Sequence, residues 1–199
     1  QFFATGLDAT QDFDLAWIGE RSLRMTLAHP PPISVFGMLK AVDSTYTVNT
    51  ERPFQARNKD AYEVELLIAP SVAATLPRAE PLRPEPLPEQ EWLLKGSRLE
   101  QTVPATDATA ARIVAPDPRW YALHKLWLAD KPSRNPHKRQ KDRHQGRALL
   151  EAIRDAMPRF PVDSAFVADL PAEMRTCVED HLLTQSGFRD NLELETALE

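Results

Sequence analysis

The chain has 199 residues, 42% of them hydrophobic and 27% charged, so it can bury a core and lacks the composition of a disordered chain. Its net charge of −5 argues against nucleic-acid binding by the surface as a whole, and no apolar run approaches the ~20 residues of a membrane span, which argues against a membrane partner. The one cysteine, Cys177, cannot form an internal disulfide, which predicts a reducing, cytoplasmic location.

Two elements are predicted before residue 45. In residues 11–17, apolar side chains alternate with Asp12, Asp14 and Ala16, which predicts a strand with one apolar face. Three prolines then precede residues 33–42, where the apolar residues fall at helical spacing. This stretch is predicted to be a short helix.

Three strands are predicted next, at residues 46–48, 54–57 and 61–68. The last shows the strongest alternation of apolar and polar residues, which is typical of a strand buried on one face. Residues 58–60 are predicted to form the turn of a hairpin, although they lack the usual glycine.

A proline-rich stretch separates these strands from the rest of the chain. Five prolines fall within residues 77–88, and they exclude a regular helix or a central strand there. We predict an extended connector. Residues 101–103 and 112–115 are predicted to form a second, smaller hairpin.

From residue 116 onward the pattern is helical. Asp117-Pro118 and Asn135-Pro136 each combine an N-cap side chain with a proline at the first helical position, and Pro171 starts a third helix. The order of elements predicts an α+β fold, in which a small mixed β-sheet is followed by a C-terminal helical bundle.

Acidic residues on two predicted strands form a candidate metal site. Asp12 and Asp14 lie two residues apart on a strand, so their side chains project from the same face. Adjacent carboxylates repel unless a cation compensates them, and their hard oxygens suit Mg²⁺ or Mn²⁺. Glu65 on the strand at residues 61–68 is the third candidate ligand, with Glu63 on the same face in reserve. The alternative is an exposed strand face without a metal.

Positive charge is concentrated in one segment of this acidic chain. Residues 119–147 carry nine Lys and Arg residues against two Asp residues. Such a basic segment predicts a phosphate-binding surface, and the alternative is a solvated helix face. Within the segment, Asp142 lies four residues after Lys138, so the two side chains can meet on one helix face.

Several stretches resemble a known protein family. Residues 9–15, Ala-Thr-Gln-Asp-Phe-Asp-Leu, are similar to the Thr-x-Asp-x-Asp strand of a bacterial family of uncharacterised nucleotidyltransferase-fold proteins of the polymerase-beta type. Residues 52–58 and 62–66 resemble the next strands of that family. The most specific block is at residues 116–128, from Pro-Asp-Pro-Arg to Lys-Leu-Trp-Leu, and it continues at residues 136–145. The helical blocks are also similar to motifs of AbiEii-type toxins.

The resemblance covers roughly residues 1–160 and implies metal-dependent transfer of a nucleotidyl group from an NTP to an acceptor, either nucleic acid or protein. The cofactor would be Mg²⁺ or Mn²⁺. By the same resemblance, the catalytic and metal-binding residues would be Asp12, Asp14 and Glu65, and the substrate-binding residues would be Lys125, Lys138 and Asp142.

The resemblance also divides the chain into a nucleotidyltransferase-like core at residues 1–115, which includes the connector, and a helical domain at residues 116–199. That fold normally carries a Gly-Ser motif before the Asp pair, where backbone N–H groups hold the NTP phosphates. The Gly-Ser pair here, Gly96-Ser97, follows the acids. We therefore expect that the chain begins inside the domain, and the alternative is that the phosphate-binding motif is absent.

Two other functions stay open. One is a catalytically inactive relative that binds nucleotide or RNA through its basic helices. The other is an interaction module whose proline-rich connector docks a partner. A role as a toxin is a further implication of the AbiEii-type likeness, and it depends on fold-level similarity alone.

Overall fold

The computed structural model describes residues 22–27, 34–73, 80–104 and 110–181. These residues form two compact units that divide between Leu94 and Lys95. The domain boundary predicted after residue 115 stays a prediction. The strand predicted at residues 11–17 lies outside the described residues. Among the described residues, no helix has both the length and the apolar character to cross a bilayer.

The first unit contains a mixed β-sheet. Its strands are β1 (Ser22–Leu27), β2 (Thr47–Val48), β3 (Gln55–Arg57), β4 (Glu63–Ile68) and β5 (Glu85–Pro86). The central strand β4 pairs in parallel with β1 and, near its end, with β5. It pairs antiparallel with β3, which pairs antiparallel with β2. The strands predicted at residues 46–48, 54–57 and 61–68 are confirmed, whereas β1 and the short β5 were not predicted.

The hairpin between β3 and β4 is closed at the predicted turn. The side-chain oxygen of Asn58 accepts hydrogen bonds from the backbone N–H groups of Asp60 (3.1 Å) and Tyr62 (2.8 Å). Ala61 adopts a positive φ of 64°, a conformation that glycine usually supplies. The hydrogen bonds that Asn58 accepts therefore help to stabilise a tight turn in which a residue other than glycine adopts the positive φ.

Strict alternation along β4 separates a core face from a polar face. Val64, Leu66 and Ile68 are at most 1% exposed, whereas Glu63 and Glu65 are partly exposed on the opposite face. This is the period of two that the sequence predicts. The core of this unit is formed by residues of the sheet, of the first helix and of the connector: Val35, Tyr46, Ala56, Val64, Leu66 and Leu82.

The helices of the first unit are short. Helix α1 (Val35–Val42) confirms the helix predicted at residues 33–42, and the hydroxyl of its N-cap Ser34 accepts a hydrogen bond from the Gly37 N–H at 3.1 Å. Helices α2 (Pro70–Ala73) and α3 (Gln90–Leu93) span four residues each. They were not predicted, because a single turn carries no recognisable helical period.

The second unit combines a hairpin with helices. The hairpin pairs β6 (Leu99–Pro104) antiparallel with β7 (Ala110–Ala115), as predicted. Its helices are α4 (Pro118–Asp130), α5 (Pro136–Ala156), α6 (Ser164–Ala168) and α7 (Ala172–His181). The starts of α4, α5 and α7 are confirmed, whereas α6 was not predicted. The sheet and these helices together confirm the α+β class.

Helix α4 begins at a buried carboxylate. Asp117 is completely buried, and its oxygens accept hydrogen bonds from the backbone N–H groups of Arg119 (3.0 Å) and Ser97 (2.9 Å). The Arg119 guanidinium donates two more, at 3.1 and 2.8 Å. Gly96 has a positive φ of 73°, and a Cβ there would lie 2.4 Å from an Asp117 oxygen. Gly96-Ser97 thus contributes to the start of α4.

Helices α4 and α5 pack closely because α5 carries a glycine at the contact. A Cβ built on Gly146 would lie 2.7 Å from Leu126 Cγ and 2.9 Å from the carbonyl oxygen of Ala122. Both neighbours are fully buried. Because Gly146 has no side chain, α4 and α5 can lie close together. This close approach positions the charged residues described next.

Candidate functional site

The candidate site residue of the first unit is Glu65, on the polar face of β4. In the antiparallel register it lies opposite Gln55 of β3, and the Gln55 side-chain amide donates a hydrogen bond to Glu65 Oε1 at 2.7 Å. Gln55 is itself buried, at 7% exposure. A buried amide thus fixes one oxygen of this carboxylate without neutralising its charge.

Glu63, the reserve candidate, has a different partner. It lies opposite Arg57, and the guanidinium of Arg57 is 3.8 Å from Glu63 Oε1. Both side chains are well exposed, so the pair is worth little in stability, but a cation already lies beside this carboxylate. The parallel register places Arg24 of β1 opposite Glu65, so each of the two acids on this face has an arginine at the paired position of a neighbouring strand. Asp12 and Asp14 lie outside the described residues.

The candidate residues of the second unit meet between α4 and α5. Lys125 Nζ lies 3.0 Å from Asp142 Oδ1, and Arg134 Nη2 lies 2.6 Å from Asp142 Oδ2. Asp142 is 2% exposed. A single buried carboxylate is thus shared by two cations, and it holds the Lys125 ammonium in a defined position.

Lys138 does not join this ion-pair cluster. It lies one turn before Asp142 on α5, partly exposed, and forms no ion pair with another described residue. The position in the cluster that the spacing assigned to Lys138 is taken by Arg134, from the loop before the helix. The structure thus brings Lys125 and Asp142 together and leaves Lys138 on the helix surface.

Many cations of the basic segment form ion pairs or hydrogen bonds within the second unit. Arg119 binds Asp117, and Arg143 Nη2 lies 3.1 Å from Asp130 Oδ1. Arg139 donates hydrogen bonds to the carbonyl oxygens of Arg134 and Pro132. Cations that form no ion pair with another described residue include three on α5, namely Lys138, Lys141 and Arg147. The surface available for phosphate is therefore smaller than the charge of the segment suggests.

His124 does not add to this positive surface. It is 6% exposed, and its ring stacks near Trp127, with 6.0 Å between the ring centroids. Burial lowers the pKa of His124 to about 3, and the neighbouring charge of Lys125 adds to the effect. The imidazole is therefore neutral around pH 7 and belongs to the core of the unit.

An open pocket of about 680 Å³ lies elsewhere in the second unit, with Lys95, Arg119, Asp163 and Asp169 among its lining residues. It includes none of the predicted site residues. Two carboxylates share this space with the two cations, and Arg119 is already bound to Asp117. This charge pattern does not favour a polyanionic ligand such as a triphosphate.

Two residues of these clusters, Gln55 and Arg134, were not predicted from the sequence. Gln55 could have been found from the hairpin turn at residues 58–60, because the turn sets the register that places Gln55 opposite Glu65. Arg134 has no comparable signal, because its contact with Asp142 depends on how the loop between α4 and α5 folds back over α5.

Comparison with known proteins gives one match. A family model described as nucleotidyltransferase matches residues 3–168, which is most of the chain. The matched range includes every predicted site residue, from Asp12 to Asp142. No curated protein matches the chain, and no solved structure matches it either.

Proposed function

Since the chain belongs to the nucleotidyltransferase family whose model it matches, we propose that it transfers a nucleotidyl group from an NTP to a nucleic-acid or protein acceptor, with Mg²⁺ or Mn²⁺ as cofactor. The observation that supports the choice of Glu65 is the hydrogen bond of 2.7 Å from Gln55. In this proposal Asp12, Asp14 and Glu65 are the catalytic carboxylates that hold the metal.

The chemistry of the donor set fits such a cation. The three side chains offer hard carboxylate oxygens, which Mg²⁺ and Mn²⁺ prefer over nitrogen or sulfur. Glu65 lies on the polar face of β4, away from the buried Val64 and Leu66. Gln55 restricts its rotation, which is how an outer partner tunes a metal-binding carboxylate.

In the proposed reaction, an acceptor hydroxyl oxygen attacks the α-phosphorus of the NTP. A new P–O bond forms while the bond from the α-phosphorus to the α,β-bridging oxygen breaks, and pyrophosphate leaves. The proposal assigns the hydroxyl proton to the carboxylate of Glu65. When bound, Mg²⁺ or Mn²⁺ neutralises triphosphate charge and lowers the pKa of the attacking hydroxyl.

For the second unit, the proposal assigns Lys125 and Lys138 to binding of substrate phosphate. Asp142 is a positioning residue, because its carboxylate lies 3.0 Å from the Lys125 ammonium and is almost fully buried. Lys138 is a partly exposed cation of the α5 surface. Each lysine contributes charge rather than a fixed fork of donors, as expected for phosphate binding by an ammonium group.

The test is a transfer assay with purified protein, α-labelled NTPs, Mg²⁺ or Mn²⁺, and RNA, DNA and protein acceptors. Both label transfer and pyrophosphate release are measured. We expect Asp14→Asn and Glu65→Gln to lower the rate by about 100-fold or more, the scale on which loss of one electrostatic contact slows an enzyme. Glu51→Gln, an exposed position of the same unit, is the matched control and keeps full activity.

Two further variants test the roles proposed for Glu65 and Lys138. If Glu63→Gln abolishes transfer while Glu65→Gln does not, the third carboxylate is Glu63. Lys138→Gln is expected to raise the KM for the NTP more than it lowers kcat, because it removes binding charge and leaves the carboxylates in place.

A folded wild-type chain that transfers no label to any acceptor would overturn the catalytic proposal. Calorimetry with Mn²⁺ then identifies the alternative. An inactive relative that binds nucleotide without metal shows no Mn²⁺ uptake that depends on Asp12 or Asp14.

A further inference from the structure

A group of metal-ligating side chains in the second unit shares no residue with the proposed active site. It is formed by Asp130, the last residue of α4, and by Cys177 and His181 of α7. His181 Nε2 is 2.7 Å from Asp130 Oδ2, and Cys177 Sγ is 4.0 Å from the same oxygen. One donor atom from each residue lies within 4.8 Å of the others.

Helical spacing explains why two of these residues meet. Cys177 and His181 are four residues apart on α7, so they lie on the same face. That face also carries Met174 and Val178 and is buried, with Cys177 at 4% and His181 at 7% exposure. The thiol reaches α4, where its sulfur lies 4.0 Å from the carbonyl oxygen of Leu123.

The Asp130 carboxylate is held on both oxygens, by His181 at Oδ2 and by Arg143 at Oδ1. Arg143 binds Oδ1 at 3.1 Å, which turns Oδ2 toward Cys177 and His181. An outer partner of this kind orients a metal-binding carboxylate.

We propose that Asp130, Cys177 and His181 bind a zinc-type divalent cation, with a water molecule as the fourth ligand. A thiolate, a neutral imidazole and a carboxylate together carry two negative charges, which such a cation neutralises. Sulfur and nitrogen donors select Zn²⁺ and similar ions over Mg²⁺. Cys177 and His181 lie beyond residues 3–168, the range of the family match, so the match includes only Asp130 of these three residues.

The present distances require only a small adjustment. Tetrahedral Zn²⁺ with bonds of about 2.0–2.3 Å separates its ligand atoms by roughly 3.3–3.7 Å. The contact of 2.7 Å between Asp130 and His181 would lengthen, and the contact of 4.0 Å between Asp130 and Cys177 would shorten. The Asp130 side chain is 40% exposed, so it has room to move away from the ring.

The test uses the full chain after chelator treatment, with excess Mg²⁺ and no NTP. Co²⁺ is added first, because a thiolate bound to Co²⁺ gives a charge-transfer band in the near ultraviolet. Since the chain has a single cysteine, such a band reports Cys177 alone. Zn²⁺ then displaces Co²⁺, and calorimetry gives the stoichiometry. We expect loss of the band on displacement and one Zn²⁺ per chain that the Cys177→Ser variant does not bind.

The variants are Cys177→Ser, His181→Gln and Asp130→Asn, with His144→Gln on the exposed surface of α5 as the matched control. Each of the three is expected to weaken Zn²⁺ binding by about 100-fold or more, since loss of an outer partner alone costs 10–100-fold. The control binds as the wild type does. A wild-type chain without a thiolate band, or variants with unchanged affinity, would overturn the site and leave an ordinary hydrogen bond between α4 and α7.

Circular dichroism shows whether each variant folds. If Cys177→Ser does not fold, the wild-type chain still decides the question through the rate at which a thiol-specific reagent modifies Cys177. Bound Zn²⁺ must slow this modification at least 10-fold, since it occupies the thiolate that reacts. The same rate with and without Zn²⁺ would refute the site.

Discussion

The same substitution, glycine to alanine, is expected to have opposite effects at two helical positions of this chain. In α1, a Cβ on Gly37 would meet only Ser34, at 3.4 Å and beyond, which is ordinary van der Waals contact. In α5, a Cβ on Gly146 would lie 2.7 Å from Leu126 Cγ and 2.9 Å from the Ala122 carbonyl oxygen. Helix propensity favours alanine at both sites, so packing decides the sign.

The magnitudes follow from the two environments. Gly37→Ala gains about 0.4–1 kcal/mol of stability, because the unfolded chain loses conformational freedom and no contact is strained. Gly146→Ala gains a similar amount but incurs an overpacking cost of about 1–3 kcal/mol. Leu126 and Ala122 are fully buried and cannot move into solvent. We therefore expect a net loss of about 1–2 kcal/mol at Gly146.

Hydrogen–deuterium exchange measured on separate peptides is the appropriate assay, because the two glycines lie in different compact units. Protection of α1 should rise in Gly37→Ala, and protection of α4 and α5 should fall in Gly146→Ala. In a Leu126→Ala background, the cost of Gly146→Ala should shrink, since the closest of the two contacts is gone. Equal or greater protection of α5 in Gly146→Ala would refute the close-packing argument.

Two further predictions concern buried titratable groups of the second unit. Asp142→Asn leaves Lys125 and Arg134 without their shared carboxylate. We expect the free energy of unfolding, measured in urea, to fall by about 3 kcal/mol. A decrease below about 1 kcal/mol would contradict the ion-pair cluster. His124 has a folded pKa of about 3 against an ordinary 6.5, so only the unfolded chain takes up its proton between those values and stability falls as the pH drops. From about pH 7 to about pH 5, the free energy of unfolding should fall by about 2 kcal/mol more in the wild type than in His124→Gln. If the two proteins lose stability in parallel over this range, His124 is not a buried neutral base.

The elements that could be predicted from the sequence are those whose signals are local. The alternation in residues 61–68 gave β4 and its two faces, and the Asp-Pro and Asn-Pro pairs gave the starts of α4 and α5. β1 also alternates polar and apolar residues, so its signal was present although it was not predicted. The one-turn helices α2 and α3 carry no period that a sequence can show.

Contacts between distant residues could not be predicted in the same way. The spacing of Lys138 and Asp142 suggested a pair within one helix, but Asp142 instead binds Lys125, seventeen residues away. That choice depends on Gly146, which lets α4 approach α5 closely enough for a side chain of the neighbouring helix to reach the carboxylate. The contact between Asp130 and Cys177 spans forty-seven residues, and only the packing of α7 on α4 brings them together.

The two proposed cation sites differ in donor chemistry, and this difference makes them separable. Glu65 offers oxygen in a polar strand face and is held by a neutral amide, which suits an ion that keeps water and accepts phosphate oxygens. Asp130, Cys177 and His181 offer one oxygen, one sulfur and one nitrogen in a mostly buried setting, which suits an ion that sheds water readily and tolerates four ligands. Mg²⁺ therefore does not compete with Zn²⁺ for the sulfur-containing site, whereas Zn²⁺ can bind to both sites. We expect His181→Gln to lose Co²⁺ binding to Cys177 and to keep its transfer activity. We expect Glu65→Gln to lose transfer and to keep the thiolate band.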